Sequence, residues 1–331
     1  MIAAERIWYR PGGWGLALAP LGGLFAAVAG RRRQWLQRRY QGRRFAAPVV
    51  VVGNLAVGGT GKTPLLIALA EQLRARGRRP GVVSRGHGGR PGPEPVLVTP
   101  AHPAAVVGDE PRLIALTTGC PVVVCPDRRA AVDWLLANCA CDLVLSDDGL
   151  QHYRLHRDFE IVVIDGARGL GNGRCLPAGP LREPPARLAA VDAVVVNGGD
   201  YRPPVPALRM RLQPIALRHL ASGRRLPATA PPAEWGPQPR VHAVAGIGHP
   251  ARFRATLERL GMRVELRALP DHHPLCAADL RFDDALPVVI TAKDAVKCEG
   301  FADPRLWVLE VAAELAPEDW AQLLSKIDQL N

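Results

Sequence analysis

Val49-Val50-Val51-Val52-Gly53-Asn54-Leu55-Ala56-Val57-Gly58-Gly59-Thr60-Gly61-Lys62-Thr63-Pro64 is an unbroken apolar run that passes into a glycine-rich loop. Four consecutive valines are a strand buried on both faces, because a half-exposed strand would alternate apolar with polar residues. Beyond the loop, Leu65, Leu69 and Leu73 fall on one face of a helix. Strand, loop and helix in that order are the setting a Walker A loop needs. Gly58, Gly59, Thr60 and Gly61 would turn backbone N–H groups inward around phosphate oxygens. The helix N-terminus adds partial positive charge, and Pro64 suits its first turn. Lys62 would bridge the β- and γ-phosphates, and the Thr63 hydroxyl would ligate Mg²⁺. One position departs from the strict pattern: Ala56 stands where its first glycine would be.

Working outward, further apolar runs appear at Val82–Ser84, Val122–Val124, Leu143–Ser146, Ile161–Ile164 and Ala193–Val196. Helical stretches lie between several of them, residues 128–138 among these. The alternation predicts a doubly wound parallel sheet of the P-loop NTPase class over residues 45–205. Residues 206–240 change texture, with LRMRLQPIALRHL reading as a hairpin or paired strands and LPATAPPAEWGPQP as a Pro-rich linker. A second, smaller α/β domain is expected over residues 241–331. Its strands are placed at 241–245, 263–268, 287–290 and 306–311, with a helix near 250–260.

The run Leu143–Ser146 ends in Asp147-Asp148. Two carboxylates at the end of a strand, beside a Walker A loop, read as a Walker B pair holding Mg²⁺ directly or through water.

The net charge is +11, but seven arginines and no acid fall within RRRQWLQRRYQGRR, residues 31–44. The basicity is therefore local, and it adjoins the uncharged stretch GGWGLALAPLGGLFAAVAG, residues 12–30. Three readings of that stretch compete with a helix buried in the protein's own core. A cleaved signal would use Arg6 and Arg10 before it and Ala27-Val28-Ala29 as the cleavage site, but arginines directly after it oppose translocation. A full membrane span is just long enough, yet Pro20 and several glycines break it. A monotopic anchor over residues 1–44 fits best, with Trp8, Tyr9 and Trp14 at the interface and arginines on anionic headgroups. Seven cysteines in no regular spacing read as reduced thiols.

Several phrases then converge: Gly53-Asn54 ahead of the loop, Ser84-Arg85-Gly86, Gly108-Asp109-Glu110-Pro111 and Ser146-Asp147-Asp148-Gly149-Leu150-Gln151-His152. Leu176-Pro177-Ala178-Gly179-Pro180-Leu181-Arg182-Glu183, Asp271-His272-His273 and Thr291-Ala292-Lys293-Asp294-Ala295-Val296-Lys297 complete the series. In this order they resemble the tetraacyldisaccharide 4′-kinase family, the lipid A kinases, over nearly the whole chain. The resemblance implies transfer of the γ-phosphate of ATP to the 4′-hydroxyl of a tetraacylated glucosamine disaccharide 1-phosphate, giving lipid IV-A. It implies Mg²⁺ dependence, a peripheral place on the cytoplasmic face of the bacterial inner membrane, and two α/β domains facing each other across a cleft. Ala56 and His87 depart from it, at positions where Ser or Thr and Tyr are expected.

The resemblance also makes Asp109 the catalytic acceptor of the hydroxyl proton. A lone carboxylate is a feeble base, so a histidine partner is expected, His272 first and His273 as the alternative. Arg182 and Glu183 end a Gly/Pro-rich loop, residues 169–184, that can present Arg182 to a phosphate. Lys293 and Lys297 could reach the nucleotide or the lipid's 1-phosphate, or be solvated. A monomer is expected. A GTPase would carry Asn-Lys-x-Asp, and Thr291-Ala292-Lys293-Asp294 has the wrong order. No nucleic-acid motif accompanies the charge. A regulatory ATPase tethered to the membrane is the remaining rival.

Overall fold

The structure, a computed structural model, describes residues 7–9, 14–40, 42–298, 300, 301 and 303–330. Helices α1 (Trp14–Ala17) and α2 (Ala19–Tyr40) precede β1 (Val49–Gly53) and α3 (Lys62–Ala75). Then come β2 (Pro80–Ser84), β3 (Val96–Leu97), α4 (Ala104–Val107), α5 (Asp109–Thr118), β4 (Val122–Val124) and α6 (Arg128–Asn138). Strands β5 (Leu143–Asp147), β6 (Phe159–Asp165), β7 (Ala193–Asn197), β8 (Leu208–His219), β9 (Arg225–Pro227) and β10 (Arg240–Ala245) follow. The chain closes with α7 (Pro250–Arg259), β11 (Arg263–Ala268), β12 (Val288–Thr291), α8 (Ala292–Ala295), β13 (Leu306–Leu315) and α9 (Pro317–Asp328).

The valine run behaves as its pattern requires. Val50 and Val52 pack with Leu65, Leu66, Leu69 and Leu73 of α3 on one face. Val49 and Val51 pack with Leu135 of α6 and with Leu150 and Leu155 on the other. The four α3 leucines are fully buried. At roughly 1.5–3 kcal/mol each, they fix the helix, and with it the loop, against the sheet.

The sheet is continuous, in the order β11-β10-β12-β13-β8-β7-β6-β1-β5-β2-β4-β3 with β9 beside β8. From β8 through β7, β6, β1, β5 and β2 to β4 all neighbours are parallel, and so are β13, β12, β10 and β11. The two parallel sets meet at an antiparallel seam between β8 and β13, from Met210↔Leu315 to His219↔Trp307. Running antiparallel, the two sets aim their carboxyl ends at each other. Ligands of open α/β sheets bind outside those ends, so a cleft between them is served from both sides.

Residues 208–219 are thus not a self-contained hairpin. They form one long strand in the middle of the sheet, and only its far end turns back on β9. Residues 104–107 form α4, and Asp109 is the first residue of α5.

At the N-terminus, α2 has two faces. Gly22 and Leu36 are buried against the body, where a Cβ on Gly22 would come within 2.9 Å of Ala178. Leu21, Leu24, Val28 and Trp35 point outward and are each more than half exposed, so the helix is not a core element. Among the described residues no helix is long and apolar enough to cross a membrane. Trp8 and Tyr9, expected at the lipid interface, instead face the body: the Trp8 indole donates to Pro177 O at 3.0 Å, and the Arg168 guanidinium lies over the Tyr9 ring. Arg6, Arg10 and the Trp14 side chain lie outside the described residues.

Candidate active site

The cleft between the two sets of carboxyl ends encloses about 1720 Å³ and is lined by Gly58, Gly59, Thr60, Gly61, Lys62, Thr63 and Pro64. A single small-molecule pocket spans roughly 300–1,000 Å³, so this cleft has room for a nucleotide and a second substrate.

The loop is held from several sides. Gly58 and Gly61 take positive φ (108° and 95°), which side chains resist. The Asn54 amide donates to Ala56 O and Gly58 O at 2.6 and 3.1 Å. Ala56 bridges Leu181, and Val57 N donates to Pro180 O. Among the described residues only Asp148 and His272 have positive φ without being glycine. Ala56 therefore needs none of a glycine's freedom, which accounts for the departure from the strict pattern. Asn197, at the end of β7, donates from its amide to Thr60 O at 2.9 Å and accepts from Arg252 of α7. Arg252 also pairs with Asp165. The loop backbone is thereby tied to the second parallel set.

Lys62 Nζ rests 3.5 Å from Asp148, which also accepts from Arg182 at 3.4 Å. Asp147 is fully buried, with Ser84 Oγ at 3.3 Å from one oxygen. Burial, with Glu110 and Asp148 nearby, pushes its carboxyl up to about 7. Asp147 Oδ1, Asp148 Oδ1 and Thr60 Oγ1 are buried without hydrogen-bond partners. Among the described residues no cluster of three His, Cys, Asp or Glu suits a metal. A cation here would draw on a hydroxyl, one or two carboxylates and phosphate oxygens, the donor set Mg²⁺ takes with nucleotides. Thr63, Asp147 and Asp148 fit that ion.

Glu183 is placed differently. Its carboxylate accepts from Tyr153 OH at 2.5 Å and Gln151 at 3.1 Å, with Arg187 3.6 Å away, behind the cleft wall. Arg182 lines the cleft and Glu183 does not.

Opposite the loop, His272 Nδ1 lies 3.1 and 3.2 Å from the two oxygens of Asp109. Asp109 comes from α5 and His272 from the turn after β11, so the two parallel sets each supply one partner. Burial acts most strongly on Asp109 and pushes its pKa up, but His272, Lys293 and Lys297 outweigh it and hold the carboxyl below its ordinary range. His272 is shifted upward, chiefly by its bond to Asp109, against burial and Lys293. His273 turns away to Asp279 at 3.1 Å. His87 meets His272 edge to face, centroids 4.5 Å apart.

Of the two alternatives for Lys293 and Lys297, solvation is ruled out: their side chains are 17% and 8% exposed and crowd Asp109. Other residues of the cleft were given no role from the sequence. Arg128 and His152 line the same cleft with Arg128 Nε and His152 Nε2 buried and unpartnered. Burial, with Arg128 beside it, depresses His152 to about 4, so its imidazole is neutral. Asn197 and Arg252 carried no local signal. The nearest hint was that a strand end beside a phosphate loop tends to carry a site residue.

The chain is similar to known kinases in sequence and in fold. The sequence model of the family described as Tetraacyldisaccharide-1-P 4'-kinase matches residues 14–329. The chain is 53% identical over 330 residues to the tetraacyldisaccharide 4'-kinase of Alkalilimnicola ehrlichii, covering 97% of this chain and 96% of that one. It is 49% identical to that of Pseudomonas aeruginosa, covering 100% and 99%. The crystal structure of LpxK from Aquifex aeolicus in complex with ATP superposes with a TM-score of 0.78 at 26% identity, covering 95% of this chain and 99% of that one.

Proposed function

The chain belongs to the tetraacyldisaccharide 4'-kinase family, and from that premise we propose how its residues carry out the transfer. It is an ATP-dependent phosphotransferase with an alcohol acceptor, moving the γ-phosphate to the 4′-hydroxyl of tetraacyldisaccharide 1-phosphate. The observation that carries the mechanism is the Asp109–His272 pair, whose histidine lines the same cleft as the Lys62 loop with the buried Asp109 behind it.

Phosphoryl transfer asks the protein mainly for positioning and charge neutralisation. Gly58, Gly59, Thr60 and Gly61 cradle the phosphates, with Pro64 setting the helix that backs them. Lys62 leaves Asp148 for the β- and γ-phosphates, and Arg182 reaches the γ-phosphate from the other wall. Glu183 acts indirectly, by bracing the loop that carries Arg182. Thr63 and the Asp147/Asp148 pair hold Mg²⁺, which when bound neutralises phosphate charge. Arg128 and neutral His152 offer an N–H donor surface to the phosphate or hydroxyl groups of the lipid. The 4′-hydroxyl gives its proton to Asp109 as its oxygen bonds the γ-phosphorus and ADP leaves. Because the two halves of the site come from two parallel sets, closing of residues 241–331 onto residues 45–205 assembles it.

The exposed face of α2 supports the membrane reading. Leu21, Leu24, Val28 and Trp35 lie outward beside exposed Arg31, Arg32, Arg38 and Arg39. Such a face suits a monotopic hold on an anionic leaflet, where a monomer would meet its lipid.

The test is transfer from labelled ATP to tetraacyldisaccharide 1-phosphate in detergent micelles, wild type beside Asp109→Ala. Wild type should label the lipid. The variant should lose about 10²–10⁴-fold in kcat, the range of general-base catalysis, and keep its ATP affinity. Release of free phosphate without labelled lipid would turn the reading to a regulatory ATPase. Equal turnover would remove Asp109 from the mechanism.

A further inference from the structure

We propose that Lys293 is a positioning residue that fixes His272 as a neutral imidazole protonated at Nδ1, so that the ring donates to Asp109 and leaves that carboxylate charged. The inference rests on Asp109 and His272 being the proton-accepting pair.

Lys293 Nζ meets Glu110 Oε1 at 3.0 Å, Asp271 Oδ1 at 3.3 Å and His272 Nε2 at 3.3 Å. An ammonium has three N–H donors and no acceptor, so these three partners use all of them. The ring nitrogen facing it must therefore offer a lone pair. The proton then sits on the other nitrogen, Nδ1, which faces the Asp109 oxygens at 3.1 and 3.2 Å. The tautomer at one nitrogen of a histidine is set by the bond the other makes. A doubly protonated ring would turn an N–H onto an ammonium.

The surrounding charges explain why such a clamp is needed. Asp109 and Glu110 face the ring region from α5, Asp271 from its own turn, and His87 edge-on from the loop after β2. Lys297 from the segment after α8 stands 3.6 Å from Asp109. Two carboxylates against one imidazole, Asp109 and Asp271, would charge it. An imidazolium locked onto Asp109 would leave a poorer proton acceptor, because a neighbouring cation stabilises the carboxylate form. Lys293 meets the ring at Nε2 and keeps that nitrogen bare, and it also neutralises Glu110 and Asp271 while standing 3.9 Å from Asp109 Oδ2.

The test is nitrogen NMR of full-length protein with labelled histidine in detergent micelles, the His272 signal being identified by its loss in His272→Gln. Wild type should show His272 protonated at Nδ1 and bare at Nε2 on the alkaline side of its titration. Lys293→Met should raise the His272 midpoint by about one pH unit or more, a tenfold gain in proton affinity. The acid limb of kcat/KM should move up with it, while the KM for ATP holds. Lys293→Arg, which restores an N–H donor and the charge, should return both toward wild type. This second variant guards against a folding defect in the first. An unchanged midpoint in Lys293→Met, or a wild-type ring protonated at Nε2, overturns the proposal. A midpoint that moves without the acid limb supports the assignment of Lys293 and removes the Asp109–His272 pair as the base.

Discussion

At the scale of single residues, what could be read in advance was what sits next to its own context. Lys62 and Thr63 follow their glycines, and Asp147-Asp148 ends a strand. Each role follows from a few neighbours in sequence. Asp109 and His272 lie 163 positions apart, and nothing local joins them; only the family resemblance named the pair. Lys293 was ambiguous because a lysine after a strand is usually solvated, and burial among three carboxylates is a property of the folded cleft. His152 gives a test of burial alone. In the unfolded chain it titrates near ~6.5; in the folded protein burial and Arg128 depress it to about 4. Between those values the unfolded chain takes up a proton that the folded one refuses. The stability contributed by neutral His152 is therefore full above about pH 6.5 and falls as the pH drops toward about 4. His152→Gln has nothing to titrate. Its thermal midpoint relative to wild type should rise steadily across that window when melting is followed in nucleotide-free protein. A constant difference would mean His152 is open to water in the folded state.

At the scale of elements, β1 and α3 were legible because periodicity and composition agree with their burial. The short strand β3 and the single turns α4 and α8 were not. Two to four residues carry no period, and their positions follow from the partners they meet. The stretch that forms the long strand β8 reads from sequence as a hairpin or paired strands, and Pro214 lies in the middle of it. Its pairing with β13, which absorbs an irregularity at Glu310 and Val311 opposite that proline, could not be seen locally. The phosphate loop depends on such distant contacts too. A Cβ on Gly61 would lie 2.3 Å from the Asn197 amide that holds Thr60 O, at a φ of 95°. Gly61→Ala must strain the backbone and dislodge that brace, a cost of about 1–3 kcal/mol. Calorimetric titration should find ATP affinity reduced about tenfold or more, since ~1.4 kcal/mol is a factor of ten. Unchanged affinity would mean the loop refolds around nucleotide without Asn197.

At the scale of the whole molecule, two α/β units were anticipated and a continuous sheet was found. The seam that joins them is antiparallel and pairs residues 88 to 105 positions apart, beyond any local pattern. The same scale decides how membrane binding should be tested. Deleting residues 1–44 would be a blunt experiment. It removes Arg33, 3.9 Å from Glu183 and stacked near Tyr153, and it exposes the surface that Leu36 and Gly22 cover. Those contacts brace the loop that carries Arg182, so lost activity would follow from lost packing as readily as from lost lipid. The outward face offers a cleaner variant. Arg31, Arg32, Arg38 and Arg39 are exposed, and changing all four to Gln leaves the packed face alone, with Arg32 the one of them that also borders the cleft. Each basic residue near an anionic surface contributes ~1 kcal/mol, so four should weaken binding to phosphatidylglycerol-containing vesicles by roughly a thousandfold at low salt. Flotation with vesicles at rising salt checks this, because wild-type binding should itself weaken as the charges are screened. If the quadruple variant floats as wild type does, the arginines are not the membrane contact. Replacing Leu21, Leu24, Val28 and Trp35 by Ser would then decide whether the apolar stripe alone holds the protein to its lipid.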